Sequence, residues 1–202
     1  MSAATDRLIK NARVSLPGSL DDAIMLEVFN VLDQFFKDSG VWSEDIGFTV
    51  FPYDPIGTVY TIDPLGVSTI VRLFSVFDDH GVQQAAVMEI PGEVTFLSPP
   101  GHEGIYVASV GLSVADPIQA DKLPEFPAWV LDKYGLGILS GVLGRMMAQP
   151  AKPYTNLQLA MAHMHSFRKT ISIASTESIH LNVHGAQTWT FPRSFSTRSR
   201  RR

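Results

Sequence analysis

Residues 126–164 read FPAWVLDKYGLGILSGVLGRMMAQPAKPYTNLQLAMAHM, two apolar segments separated by the break Gln149-Pro150-Ala151-Lys152-Pro153. Before the break, Trp129, Ile138, Leu139, Val142, Leu143, Met146 and Met147 supply apolar mass, and Pro124 and Pro127 are compatible with a helix starting near residues 126–128. After it, Thr155 with Gln158 fits a capping box, while Tyr154 and Leu159 occupy the positions of a hydrophobic staple. Leu157, Ala160, Met161, Met164, Phe167, Ile171, Ala174, Ser178 and Leu181 then continue one face. The stretch predicts an antiparallel helix pair over residues 123–183. At 1.5 Å per residue its second member is about 40 Å long, more than the core of a small domain needs.

Gly135, Gly137, Gly141 and Gly144 fall inside the first of these helices. A glycine in a helix interior costs about 1 kcal/mol relative to alanine, so the four cost roughly 4 kcal/mol unless close packing offsets them. Gly137 and Gly141 are four apart, as are Ser140 and Gly144, giving a small-residue stripe that another backbone can approach. A break near Gly135 is the competing reading. Met161 with His165, and His180 with His184, have the spacing of a ligand pair, but a core methionine beside a surface histidine is the simpler account.

On the N-terminal side, residues 1–18 read as an arm, extended over 11–18 and closed by Pro17-Gly18. A helix over residues 19–40 follows, with Ser19 as N-cap, Asp21 and Asp22 favoured by the helix dipole, and Ile24, Val28, Val31, Leu32, Phe35 and Phe36 at helical spacing up to Ser39-Gly40. Asp21, Asp22, Glu27, Asp33 and Asp38 read as its solvent face. Over residues 45–116 the period shifts to two, with turn residues at regular intervals, which predicts an inserted antiparallel β-sandwich or barrel of about six strands, one of them running over residues 82–90. Asp78-Asp79-His80-Gly81 has hairpin-loop composition; a metal cluster there lacks partner ligands at matching spacing, so no metal or cofactor is assigned. Residues 99–104 form a second polar loop. The fold class is α+β: a helical bundle of the first helix and the later pair, interrupted by the β module and followed by an extended C-terminal arm.

The chain has 202 residues, 45% of them hydrophobic, enough for one sizeable core with an inserted module. It lacks cysteine, which excludes disulfides and thiolate metal sites. The first ten residues lack the apolar core of a signal peptide, and residues 136–147 are too short to span a bilayer and contain Arg145, so a soluble protein without membrane contact is expected. The net charge of −4 conceals an asymmetry: without Arg193, Arg198, Arg200, Arg201 and Arg202 the body stands at −9. Residues 184–202 therefore read as a basic C-terminal arm, for which a solvated end is the simpler account and an interaction arm the sharper one. No GxSxG, HExxH, P-loop or GxGxxG occurs, and an enzyme is not expected.

Phe126-Pro127-Ala128-Trp129, Gly141-Val142-Leu143-Gly144-Arg145-Met146-Met147, Pro150-Ala151-Lys152-Pro153-Tyr154 and Gln158-Leu159-Ala160 resemble the C-terminal helical segment of head-to-tail adaptor (connector) proteins of tailed bacteriophages. The helix over residues 16–36 resembles that family's opening segment. Larger members carry a β module in the same place, so the resemblance covers the helices well and the β module only by position. Ser172-Ile173-Ala174-Ser175-Thr176 departs from the pattern as poor helix material and leaves the end of the last helix open.

The resemblance implies a structural virion protein of the neck, assembled in the host cytoplasm as a homo-oligomeric, dodecameric ring that joins the portal protein to a tail tube or nozzle protein. It gives the glycine stripe a use, with Gly137, Gly141 and Gly144 between subunits and Trp129, Arg145, Lys152 and Tyr154 as interface anchors. Trp189, Phe191, Arg198, Arg200, Arg201 and Arg202 would belong to an arm that orders on the portal, or that touches packaged DNA without sequence preference. The alternative is a nucleic-acid-binding module acting through the same arginine-rich tail. A third class, a ligand-binding β module, requires a deep apolar pocket within residues 45–115.

Overall fold

A computed structural model of the protein describes residues 3–51, 54–55, 57–64, 68–114 and 126–181. The chain is α+β, with four helices among the described residues and a curled antiparallel sheet that forms a half-barrel. In order, the elements are α1 (Ala3–Ser15), α2 (Asp21–Ser39), β1 (Ser43–Val50), β2 (Val59–Thr61), β3 (Ser68–Phe77), β4 (Gln83–Gln84), β5 (Ala86–Val87), β6 (Glu93–Phe96), β7 (Gly104–Val114), α3 (Ala128–Met147) and α4 (Leu157–Leu181).

The N-terminal segment is a helix rather than an extended arm. Thr5, Leu8, Ala12 and Leu16 recur at three- and four-residue spacing and are buried, and α1 packs against α2 and α3. The polar residues between them hid this short stripe. The turn signal behind it was sound, since Gly18 takes φ 79° immediately after α1. α2 begins one residue later than expected: Leu20 is its N-cap, and the Ser19 hydroxyl donates backward to the Leu16 carbonyl at 2.7 Å. Gly40, with φ 62°, closes α2 by donating its N–H to the Phe36 carbonyl.

Two cores form. Ile24, Val28, Val31, Leu32, Phe35 and Phe36 of α2 pack with Val130, Tyr134, Ile138, Val142 and Met146 of α3 and with Ala160, Phe167 and Ala174 of α4. Phe48, Tyr60, Phe96 and Tyr106 fill the β module, with ring centroids 5.3–6.1 Å apart. Trp42 touches both cores.

The strands pair in the orders β1-β7-β3-β4 and β2-β6-β5, all antiparallel. The expected strand over residues 82–90 divides between the two groups, because β4 pairs with β3 whereas β5 pairs with β6. Among the described residues the module therefore has seven strands, not six. Register shifts between Ile70 and Arg72 and between Leu73 and Ser75 place extra residues on β3, and such bulges sharpen strand twist and bend the sheet. The second extra residue, Phe74, lies over Gly111 and Gly40, where a Cβ would come within 3.3 and 3.0 Å of its ring.

α2 covers the C-terminal half of β7. The Ser113 hydroxyl donates to Oδ1 of Asp33 at 2.8 Å, and Nη2 of Arg72 donates to the Lys37 carbonyl at 3.2 Å. Asp33 also pairs with Lys37 at 2.8 Å. Asp33 thus bonds within the molecule, and Glu27 is turned toward Arg145 at 3.7 Å, so the two do not serve only as a solvated face.

Candidate functional site

The helix pair that dominates the sequence is closed by its own turn. Ala151 adopts φ 57°, the Thr155 hydroxyl donates to the Gln149 carbonyl at 2.6 Å, and the N–H of Lys152 donates to that hydroxyl oxygen at 3.0 Å. The N-cap of α4 is Asn156 rather than Thr155: its Oδ1 accepts the N–H of Leu159 at 3.1 Å, and its own N–H reaches the Met147 carbonyl. Tyr154 is buried and donates to Gln149, so it belongs to the core instead of presenting a subunit anchor.

α3 is unbroken, which removes the break near Gly135. Its glycines face the chain's own helices. A Cβ on Gly137 would lie 2.2 Å from Oγ1 of Thr170, one on Gly141 2.7 Å from Val31 and 2.9 Å from Phe167, and one on Gly144 2.8 Å from Met164. These partners descend along α4 as the glycines ascend α3, so the two helices run in opposite directions in close backbone approach. The contact that offsets the cost of these three glycines is intramolecular, and the expected stripe between subunits gives way to it. Gly135 meets nothing within 4 Å.

Arg145 is also turned inward, with Nη2 donating to Oε1 of Gln34 at 2.7 Å and Nη1 lying 3.7 Å from Oε2 of Glu27. Of the residues expected at an interface, Trp129 and Lys152 remain exposed. Trp189, Phe191, Arg198, Arg200, Arg201 and Arg202 lie outside the described residues, as do the side chains of the His180 and His184 pair.

The exposed apolar side chains are ones that the period had assigned inward or left out. Ala160, Phe167, Ala174 and Ser178 face the core of α4, while Leu157 and Met161 are displaced from that line and point outward, Met161 at 74% exposure. Ile173 and Ile179 on α4 and Leu136 on α3, the last at 84%, are likewise open. α4 continues past the doubtful serine-rich segment to Leu181, its outward Thr176 hydroxyl satisfied by the Ser172 carbonyl at 2.9 Å. Its 25 residues give a length of about 38 Å.

Lys133, Tyr134 and Glu177 tie α3 to α4. Nζ of Lys133 lies 2.6 Å from Oε2 of Glu177, and the Tyr134 hydroxyl donates to the same oxygen. The hydrogen bonds from Lys133 and then Tyr134 hold the Glu177 carboxyl below its ordinary range. Burial first, and the bond to Glu177 second, push Tyr134 up.

The β module holds two further features. An open groove of about 580 Å³ runs along β3, β4 and β5, with Arg72, Ser75 and Gln84 among Leu73, Val87 and Met88 in its lining. Among the described residues, the interior of the module is filled by the cluster of Phe48, Tyr60, Phe96 and Tyr106. At one end, Asp79, His80 and His102 converge, with candidate ligand atoms all within 4.8 Å of one another. The partner ligand missing from the local spacing is His102, from the loop before β7. Only the fold brings it close.

No protein-family model and no curated protein matches the chain.

Proposed function

We propose that the protein is a structural head-to-tail adaptor whose four helices form a bundle that stands beside copies of itself in a ring joining a portal to a tail. The observation that supports this reading is the set of large apolar side chains, Leu136, Leu157, Met161, Ile173 and Ile179, that α3 and α4 leave outside their own core. Burying such side chains against a neighbour is favourable at roughly 25 cal/mol per Å² of apolar surface. Closed rings require one surface of this kind and a different surface to receive it. Trp129 and Lys152 lie on the same helical part of the chain and are proposed contacts; Gly137, Gly141, Gly144, Arg145 and Tyr154 support them from within. The basic arm at residues 184–202 is proposed to order against the portal protein, and the opposite rim of the ring to meet a tail tube or nozzle protein.

Imaging of the purified chain, alone and mixed with portal rings from the same virion, tests the proposal. Rings stacked coaxially below the portal are expected, and a chain lacking residues 184–202 should lose portal binding. A chain that stays monomeric with and without portal overturns the reading. Tight binding to duplex DNA that weakens steeply with salt, with no portal association, assigns the chain instead to the nucleic-acid-binding class working through its arginine tail.

A further inference from the structure

We propose that Asp79, His80 and His102 form a binding site for a borderline divalent metal ion of the Zn²⁺ class, clamping the β3–β4 turn to the loop preceding β7. The two loops are far apart in sequence, and each holds its ligands for reasons of its own. In the turn, the Asp78 carboxylate accepts the N–H groups of His80 at 3.0 Å and Val82 at 2.7 Å, and Nε2 of Gln84 at 3.0 Å. Gly81 completes that turn at φ 75°. Asp78 is thus spent on the backbone, which leaves Asp79 and His80 projecting from a fixed loop.

On the facing loop, the Tyr106 hydroxyl donates to the His102 carbonyl at 2.9 Å and anchors the histidine from behind. Gly104 leaves room for the approaching carboxylate, since a Cβ there would come 3.3 Å from Oδ2 of Asp79. Nε2 of His102 donates to Oδ1 of Asp79 at 2.5 Å, Nδ1 of His80 lies 3.7 Å from the same oxygen, and the two imidazole rings stand 4.8 Å apart at 31°. One carboxylate oxygen therefore faces a nitrogen from each ring.

Two imidazoles and a carboxylate make a donor set that suits zinc, cobalt or nickel, whereas calcium and magnesium take all-oxygen shells. Ligand atoms around a tetrahedral zinc with bonds of about 2.0–2.1 Å stand roughly 3.3 Å apart, so small side-chain rotations bring these three into place. Binding replaces the hydrogen bond between His102 and Asp79 with the ion: the neutral imidazole carries its one N–H on the other ring nitrogen, its Nε2 lone pair turns to the metal, and a coordination position stays open to solvent.

Calorimetric titration of the untagged full chain with ZnCl₂, and absorption spectroscopy with CoCl₂, test the site. One ion per chain is expected, with tetrahedral cobalt bands and a zinc-dependent rise in Tm. His80→Ala is the sharpest variant, because that ring is 72% exposed and its removal leaves the fold intact. His80→Ala, His102→Ala and Asp79→Asn should each weaken binding by about tenfold or more. The double variant His163→Ala/His165→Ala, which removes two of the three histidines of α4, should bind as the parent does. Equal zinc affinity in His80→Ala and parent overturns the proposal, as does no binding of either ion by the parent at millimolar concentration.

Discussion

Gly135 and Gly137 stand two residues apart in α3 and should respond to the same substitution with opposite signs. Around Gly135 a new Cβ meets open space, so Gly135→Ala gains the helix propensity of alanine, about 1 kcal/mol, and should raise Tm. At Gly137 the same methyl would lie 2.2 Å from Thr170, forcing α3 and α4 apart. Overpacking of this kind costs about 1–3 kcal/mol, so Gly137→Ala should lower Tm despite its better propensity. Thermal denaturation of the two variants checks the pair, and a matching rise in both would refute the close helix contact. Tyr60 carries a second residue-scale consequence. Burial, followed by its 2.8 Å hydrogen bond to Asp54, pushes its hydroxyl up to about 12. Its neutral form is therefore favoured by folding; this stability is complete below the unfolded tyrosine value of about 10 and is lost as pH rises from there through about 12. Tyr106, pushed up mainly by burial, and Tyr134 act in the same direction. Tm should accordingly fall steeply above pH ~10, with tyrosinate absorbance appearing together with unfolding, and Tyr60→Phe should flatten that slope.

Among the elements, the α3–α4 turn makes Asn156 its decisive cap. Asn156→Ala removes the acceptor for the Leu159 N–H and should cost about 1 kcal/mol in denaturant unfolding, with Thr155→Ala acting separately through the Gln149 carbonyl. The signal read as Thr155 with Gln158 was thus one residue early, because serine, threonine, asparagine and aspartate compete for the cap and only backbone geometry decides among adjacent candidates. The long elements were legible for a firmer reason: α2, α3 and α4 each present a repeated apolar line, and β3 and β7 are strands of ten and eleven residues rich in β-branched and aromatic side chains. α1 was missed because a buried line as spare as Thr5, Leu8, Ala12 and Leu16 carries little hydrophobic contrast. The division of residues 82–90 between β4 and β5 was hidden because it depends on which strand each half meets. The Asp79, His80 and His102 cluster escaped for the same reason, its third member arriving from a different loop. The cost of the α3 glycines was readable from composition, but its recipient, the chain's own α4, was not.

At the scale of the whole molecule, the division between inward and outward chemistry on the helices leads to the assembly prediction. Gly141→Leu cannot serve as an assembly probe, since its side chain would strike Val31 and Phe167 within the subunit and loss of rings would report only loss of the fold. Met161 and Ile179 lie on the exposed side of α4 and contribute to no buried cluster of the chain. Placing aspartate at both should leave Tm of the isolated chain almost unchanged, within about 0.5 kcal/mol, because surface substitutions away from packed features rarely do more. In a ring, the same two carboxylates would be carried into an apolar contact and desolvated, at a cost of several kcal/mol per uncompensated charge. Met161→Asp/Ile179→Asp should therefore remain a well-folded monomer under conditions in which the parent assembles, as read by particle mass and by imaging on portal rings. Rings of normal stability from this variant would show that α4 faces solvent in the assembly, and would shift the subunit contact to another surface.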